Sequence, residues 1–147
     1  MFKKILCAVD GSDHSLKAAN LASQMAQLGD AQLTFLTVTK ELKMTDELKR
    51  YMEIEHLAGE PQYVLDDYTE KVIQEAKEAA RAAGLSNVKA EAKTGQPARV
   101  IVSMADRGGY DVIVLGSRGH GDLEGLLLGS VSHKVANLAK CTVITVK

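Results

Sequence analysis

Apolar residues along the chain fall into short unbroken blocks and longer helical stripes, and the two kinds of run alternate. Ile5-Leu6-Cys7-Ala8-Val9 is unbroken and stops at Asp10-Gly11, the pattern of a strand buried on both faces. Ser12 or Asp13 can cap the next helix, whose expected stripe is Leu16, Ala19, Leu21, Ala22, Met25 and Leu28, with Gly29 as its stop. Leu33 to Val38 reads as a second strand. Residues 40–60 are charged, helix-prone and weakly patterned until Gly59-Glu60-Pro61 breaks them off. A long helix follows, with Leu65, Tyr68, Val72, Ala76, Ala79 and Ala83 on one face and Gly84 at its end.

Val88 to Lys93 alternates apolar and charged residues, which suits a half-exposed edge strand. Pro97 sits in the first turn of the next helix, where its missing N–H costs little. That helix carries Val100, Ile101 and Met104 and closes at Gly108-Gly109. Val112–Leu115 is a fourth strand, a last helix runs from Ser130 through Val131, Val135 and Leu138, and Thr142–Val146 is a fifth strand. Alternation of strand and helix implies an α/β protein with a parallel sheet and right-handed crossovers. With one edge-like strand in third place, the expectation is a single doubly wound open sheet of five parallel strands, order 3-2-1-4-5, helices on both faces. Strands 1 and 4 are then neighbours where the winding reverses, and ligands bind outside their carboxyl ends. Asp10 and Gly116 stand at those two ends.

Composition narrows the function classes. A length of 147 residues suits one domain spanning 1–147, with residues 40–60 as its one candidate for a mobile or partner-facing insertion. A net charge of −1 gives no electrostatic case for nucleic acid, and no apolar run approaches the ~18 residues of a membrane span. Cys7 and Cys141 lie in apolar strand-like stretches and read as buried free thiols, so a cytoplasmic location is expected. His14, His56, His120 and His133 show no metal-ligand spacing. The expectation for His14, His56 and His133 is a solvated helix position.

The densest chemistry lies after the fourth strand. Gly116-Ser117-Arg118-Gly119 is followed nine residues later by Gly129-Ser130, where a helix opens. Glycines after a strand let backbone N–H groups approach a ligand, and a positive φ at Gly116 would be a further reason for glycine there. The helix N-terminus adds amides, a hydroxyl and a positive dipole end, so the arrangement points to a phosphate chain. Arg118 is a phosphate partner or a surface arginine, and His120 a phosphate contact or an exposed loop residue. Asp10 is a turn residue or a ribose or metal-water contact. Ser117, Ser130 and Ser132 have no paired base, so nucleophilic catalysis is unsupported. Asp122 and Glu124 are expected to be solvated. No Gly-Lys dipeptide occurs, which excludes a Walker-type phosphate loop.

Ile5 to Ser12, Gly95-Gln96-Pro97, Asp111 to Gly116 and the Gly116-x-x-Gly119-x9-Gly129-Ser130 spacing together resemble the universal stress protein A family, in its ATP-binding branch. The resemblance covers essentially the whole chain and implies a Rossmann-like fold. It implies that Ala8, Val9 and Asp10 border the adenosine, Asp10 near ribose or a metal-bound water. Val38 would meet adenine through its backbone, and Leu115 and Gly116 would flank the nucleoside. Arg118, Gly119, His120, Gly129, Ser130, Val131 and Ser132 would surround the phosphates, and Ser117 and Gly121 would also belong to the nucleotide site. ATP with Mg2+ or Mn2+ is the implied cofactor, and no catalytic residue is assigned. The implied role is stress-response regulation, with nucleotide state controlling oligomerisation or an unknown protein partner; a slow ATPase or phosphotransferase is the alternative. The apolar strand Thr142–Val146, exposed at a sheet edge, is expected to pair with a second copy in a homodimer, with tetramers also open.

Overall fold

The computed structural model describes residues 1–40, 46–54, 61–122 and 128–147. Strand β1 (Lys4–Ala8) leads into α1 (Asp13–Gly29), then β2 (Gln32–Thr39), α2 (Asp46–Ile54), α3 (Pro61–Ala82) and β3 (Lys89–Thr94). The chain continues through α4 (Pro97–Gly108), β4 (Val112–Gly116), α5 (Ser130–Leu138) and β5 (Thr142–Val146). The strands form one sheet in the order β3-β2-β1-β4-β5, every neighbouring pair parallel, as the alternating pattern predicts.

Burial explains the strand patterns. Ile5, Leu6, Cys7, Val112, Ile113 and Val114 are sealed from solvent, because β1 and β4 lie inside the sheet with helices on both faces. On one face Ile5, Cys7, Phe35 and Val114 pack with the alanines of α1 and with Val72 and Ala76 of α3. On the other, Leu6, Leu36, Ile113 and Leu115 pack against Ala98, Ile101 and Ala105 of α4 and Val135 of α5. Edge strand β3 keeps Lys89, Glu91 and Lys93 exposed and Ala90 half-buried, but Ala92 is exposed as well, so the expected alternation holds only at the start of the strand. Cys7 is a buried free thiol, pushed up in pKa by burial, whereas Cys141 is only half-buried.

Helix α1 departs from the expected stripe. Its buried face is Ser15, Ala18, Ala19, Ala22, Ser23 and Ala26, while Leu16 and Leu28 are exposed. Small residues let the helix lie close to the sheet, and Ser23 satisfies its hydroxyl on the Ala19 carbonyl at 2.7 Å. The left-handed residue that ends α1 is Asp30 (φ 48°), one position after the expected Gly29. Ser12 caps α1 by accepting from the Ser15 N–H, which decides between the two capping candidates. In α4, Gln96 is the cap before Pro97, and Gly109 closes the helix in the left-handed region. Within the expected insertion, α2 occupies 46–54. His56, Gly59-Glu60, Glu124 and the Leu65 side chain lie outside the described residues.

Candidate functional site

The carboxyl ends of β1, β2 and β4 open into a cleft of about 350 Å³, within the range of small-ligand sites. Its position follows from topology: β1 and β4 are adjacent, yet their following segments leave on opposite faces. Leu36 and Val38 of β2, Ile101 of α4, Leu115 of β4 and Val131 of α5 supply apolar lining. Asp10, Arg118, Gly119, His120, Asp122 and Ser130 supply the polar lining. One cleft thus carries both apolar and polar lining.

The turn after β1 is held from several directions. Asp10 Oδ1 accepts from the Ser12 N–H at 2.9 Å and the Ser12 hydroxyl at 2.5 Å, and the Asp10 N–H donates to Ser15 Oγ at 3.0 Å. The Asp10 carbonyl accepts from the Tyr68 hydroxyl at 2.6 Å and from His120 Nε2 at 3.0 Å. Tyr68 Oη and His120 Nε2 are themselves 2.8 Å apart. A single protonation pattern serves all three contacts: Tyr68 donates to the carbonyl, and the His120 Nε2–H is shared between carbonyl and phenol oxygen. Burial, then the charges of Asp10 and Glu75, push the Tyr68 phenol above its ordinary pKa, which keeps it a donor.

The glycine loop is braced from beneath. The carbonyl of Ser117 accepts from the Gly129 N–H and from the Ser132 hydroxyl, each at 2.6 Å, tying the end of β4 to the start of α5. Ser117 Oγ lies 2.9 Å from His14 Nδ1, and Arg118 Nη2 lies 3.4 Å from His14 Nε2. His14, expected to be solvated, instead joins α1 to this loop. Asp122 also departs from expectation: its Oδ2 accepts from the Gly119 N–H at 2.5 Å and its Oδ1 from the Ser130 N–H at 3.3 Å. Two backbone amides with no intrahelical acceptor draw the carboxylate in.

The three glycines of the spacing motif serve different neighbours. A Cβ on Gly116 would lie 2.8 Å from the backbone of His14 and Ser15, so glycine here admits the N-terminus of α1. Gly116 does not have a positive φ, which removes that expected reason. A Cβ on Gly119 would lie 2.5 Å from Asp10 Oδ2, and one on Gly129 would collide with the Asp122 carboxylate.

Of the predicted residues, the structure brings Ala8, Val9, Asp10, Val38, Leu115, Gly116, Arg118, Gly119, His120, Ser130, Val131 and Ser132 to the cleft wall. It does not bring three others there. Ser117 and Gly129 are buried behind the wall as the joint between β4 and α5, and Gly121 lines a shallow neighbouring hollow with Gly11 and His14. His133 is an exposed helix residue, 3.1 Å from Asn137 Nδ2. Sequence reasoning missed Thr37, Thr39, Lys40, Tyr68, Pro97 and Ile101 as lining residues. Lys40 had a readable signal, being the first polar side chain past the end of β2.

Comparison with known proteins places this geometry in a family. The profile described as "Universal stress protein family" matches residues 1–147. The chain is 38% identical over 151 residues to universal stress protein YxiE of Bacillus subtilis (strain 168), covering 100% of both chains. A solved universal stress protein in complex with cAMP is similar at 27% identity and TM-score 0.74, covering 99% of this chain and 97% of that one. The solved structure of MJ0577 is similar at 29% identity and TM-score 0.78, with 100% and 96% covered.

Proposed function

The chain belongs to the universal stress protein family, and from that premise we propose that it is an ATP-binding regulatory protein whose nucleotide state controls its self-assembly or a protein partner. The observation that carries this reading is the mixed lining of the cleft. Leu36, Val38 and Leu115 offer an apolar seat for a base, beside the Gly119 and Ser130 amides and the N-terminus of α5. The cAMP held by a structural neighbour supports an adenine nucleotide as the ligand class. Arg118, His120 and Lys40 on the same wall favour a ligand carrying several negative charges.

The donor set fits a magnesium ion riding on the phosphates. Oxygen is the ligand that ion prefers, and Asp10 Oδ2 faces Gly119 with no hydrogen bond to it among the described contacts. Asp10 would hold the ion through water, and the ion would supply neutralising charge. We assign no catalytic residue. The cytoplasm is the compartment we propose.

Titration calorimetry with ATP and with adenosine, each with magnesium, tests the reading. ATP is expected to bind tighter than adenosine, because amides and dipole act on phosphate. Equal affinities that persist in Asp122→Ala, which frees the Gly119 and Ser130 amides, would remove the phosphate site. A steady turnover above ~1 per second would make the protein an ATPase instead. Light scattering with and without ATP then reads the regulatory part; a switch requires different ATP affinity in the two assembly states.

A further inference from the structure

We propose that Asp122 is a specificity-determining residue: its carboxylate holds the backbone amides that a nucleotide's phosphates would take, so the phosphates must displace it. The inference rests on the reading of the cleft as a nucleotide site and concerns which nucleotides that site prefers. The carboxylate spans the two halves of the glycine motif, accepting from the Gly119 N–H with Oδ2 and from the Ser130 N–H with Oδ1. A carboxylate and a phosphate ask for the same thing here, convergent amides at the positive end of a helix.

Gly129 supports the same assignment. Its φ of −74° is open to any residue, so backbone conformation does not explain the glycine. Space does: a Cβ would collide with the Asp122 carboxylate. The glycine that a phosphate-binding motif reserves for an anion here gives its room to the protein's own anion. A second carboxylate sharpens the effect. A Cβ built on Gly119 would lie 2.5 Å from Asp10 Oδ2 and 3.6 Å from Asp122 Oδ2, so two acidic oxygens converge on one glycine. An incoming phosphate meets occupied amides and negative charge together. Adenosine carries no phosphate to compete for those amides or to be repelled by the carboxylates. Asp122 therefore sets the site's preference by phosphate charge, holding back ATP and leaving the nucleoside unaffected.

The test is calorimetric titration of the wild-type chain, Asp122→Ala and Asp122→Asn with ATP and with adenosine, at one ionic strength and without divalent cations. Asp122→Ala is expected to bind ATP at least tenfold tighter than wild type while adenosine affinity stays within twofold. Asp122→Asn keeps an oxygen acceptor for the Gly119 amide and loses the charge, so its gain for ATP should be smaller. ATP affinity unchanged or weakened in Asp122→Ala, with adenosine unchanged, would show that Asp122 only braces the loop and would overturn the proposal. If Asp122→Ala loses adenosine as well, the loop has been damaged and Asp122→Asn decides: no gain for ATP overturns the proposal. If neither ligand binds the wild type or either variant, the nucleotide reading itself fails and the proposal falls with it.

Discussion

Tyr68 reaches the turn after β1 only because residue 11 is glycine: at φ +82°, a Cβ on Gly11 would lie 2.6 Å from Tyr68 Oη. The phenol thereby donates to the Asp10 carbonyl beside His120, clasping α3 to the floor of the cleft and to the glycine loop.

Removing that hydroxyl should loosen the loop more than the fold. Tyr68→Phe loses the bond to the Asp10 carbonyl and the contact with His120 at a half-exposed site, together about 1 kcal/mol. Thermal unfolding should shift little, while amide exchange across residues 118–120 should speed up. Gly11→Ala should be worse, because it adds ~1–2 kcal/mol of left-handed strain and pushes Tyr68 off its acceptor. A larger melting-temperature loss in Tyr68→Phe than in Gly11→Ala would contradict this arrangement.

Two motif glycines should fail in different assays. At Gly116 an added Cβ meets helix backbone that cannot turn aside. Gly116→Ala should therefore destabilise the fold by ~1–3 kcal/mol, as overpacking does. At Gly129 a lysine side chain would enter the space now held by Asp122. Gly129→Lys should lower ATP affinity at least tenfold, ~1.4 kcal/mol. Calorimetry and thermal melts on both variants check the split. A Gly116→Ala variant that melts normally would break the first half.

The sheet was legible in the sequence because β1 and β4 are buried on both faces, and such strands appear as unbroken apolar runs ending at Asp10-Gly11 and at Gly116. Those ends also located the cleft, since topology alone brings Asp10 and Gly116 together. The buried face of α1 was less readable. Alanines and leucines share its apolar arc, and only the close approach of helix to sheet selects Ala18, Ala22 and Ala26 over Leu16 and Leu28. Tyr68 was assigned to a packing stripe because its role depends on Asp10 and His120, 58 and 52 residues away. Asp122 looked like a solvated loop acid because its partners are backbone amides, which leave no mark on composition.

Acid should unzip the start of β1. Asp111 Oδ2 accepts from the Lys3 and Lys4 N–H groups, both at 2.7 Å. Those bonds, helped by the N-terminus and the Lys4 charge, hold its carboxyl below the usual Asp range. A depressed folded value means the stabilisation is present above the unfolded value, about 3.9, and is lost as pH falls through the lower folded value. Asp111→Asn should therefore be less stable than wild type at neutral pH, and the gap should narrow below about pH 3.9. Urea titrations at several pH values measure the gap; a constant difference would remove Asp111 from the acid response.

Strand β5 is expected to pair with its two-fold mate, and the structure states which substitution tests it. The Ser117 N–H donates to the Val146 carbonyl at 2.7 Å, so the backbone groups of Val146 face β4. Backbone groups of successive residues point to opposite edges of a strand, so those of Thr142 and Ile144 also face β4, and those of Val143 and Thr145 face outward. A proline at 144 would break the intramolecular ladder and confuse misfolding with dissociation. Proline at 145 removes an outward donor from an edge strand, where proline is tolerated. The wild-type chain should scatter light as a dimer at micromolar concentration, and Thr145→Pro as a folded monomer. A wild-type monomer would refute the pairing outright. A Thr145→Pro variant that stays dimeric would move the interface to another surface.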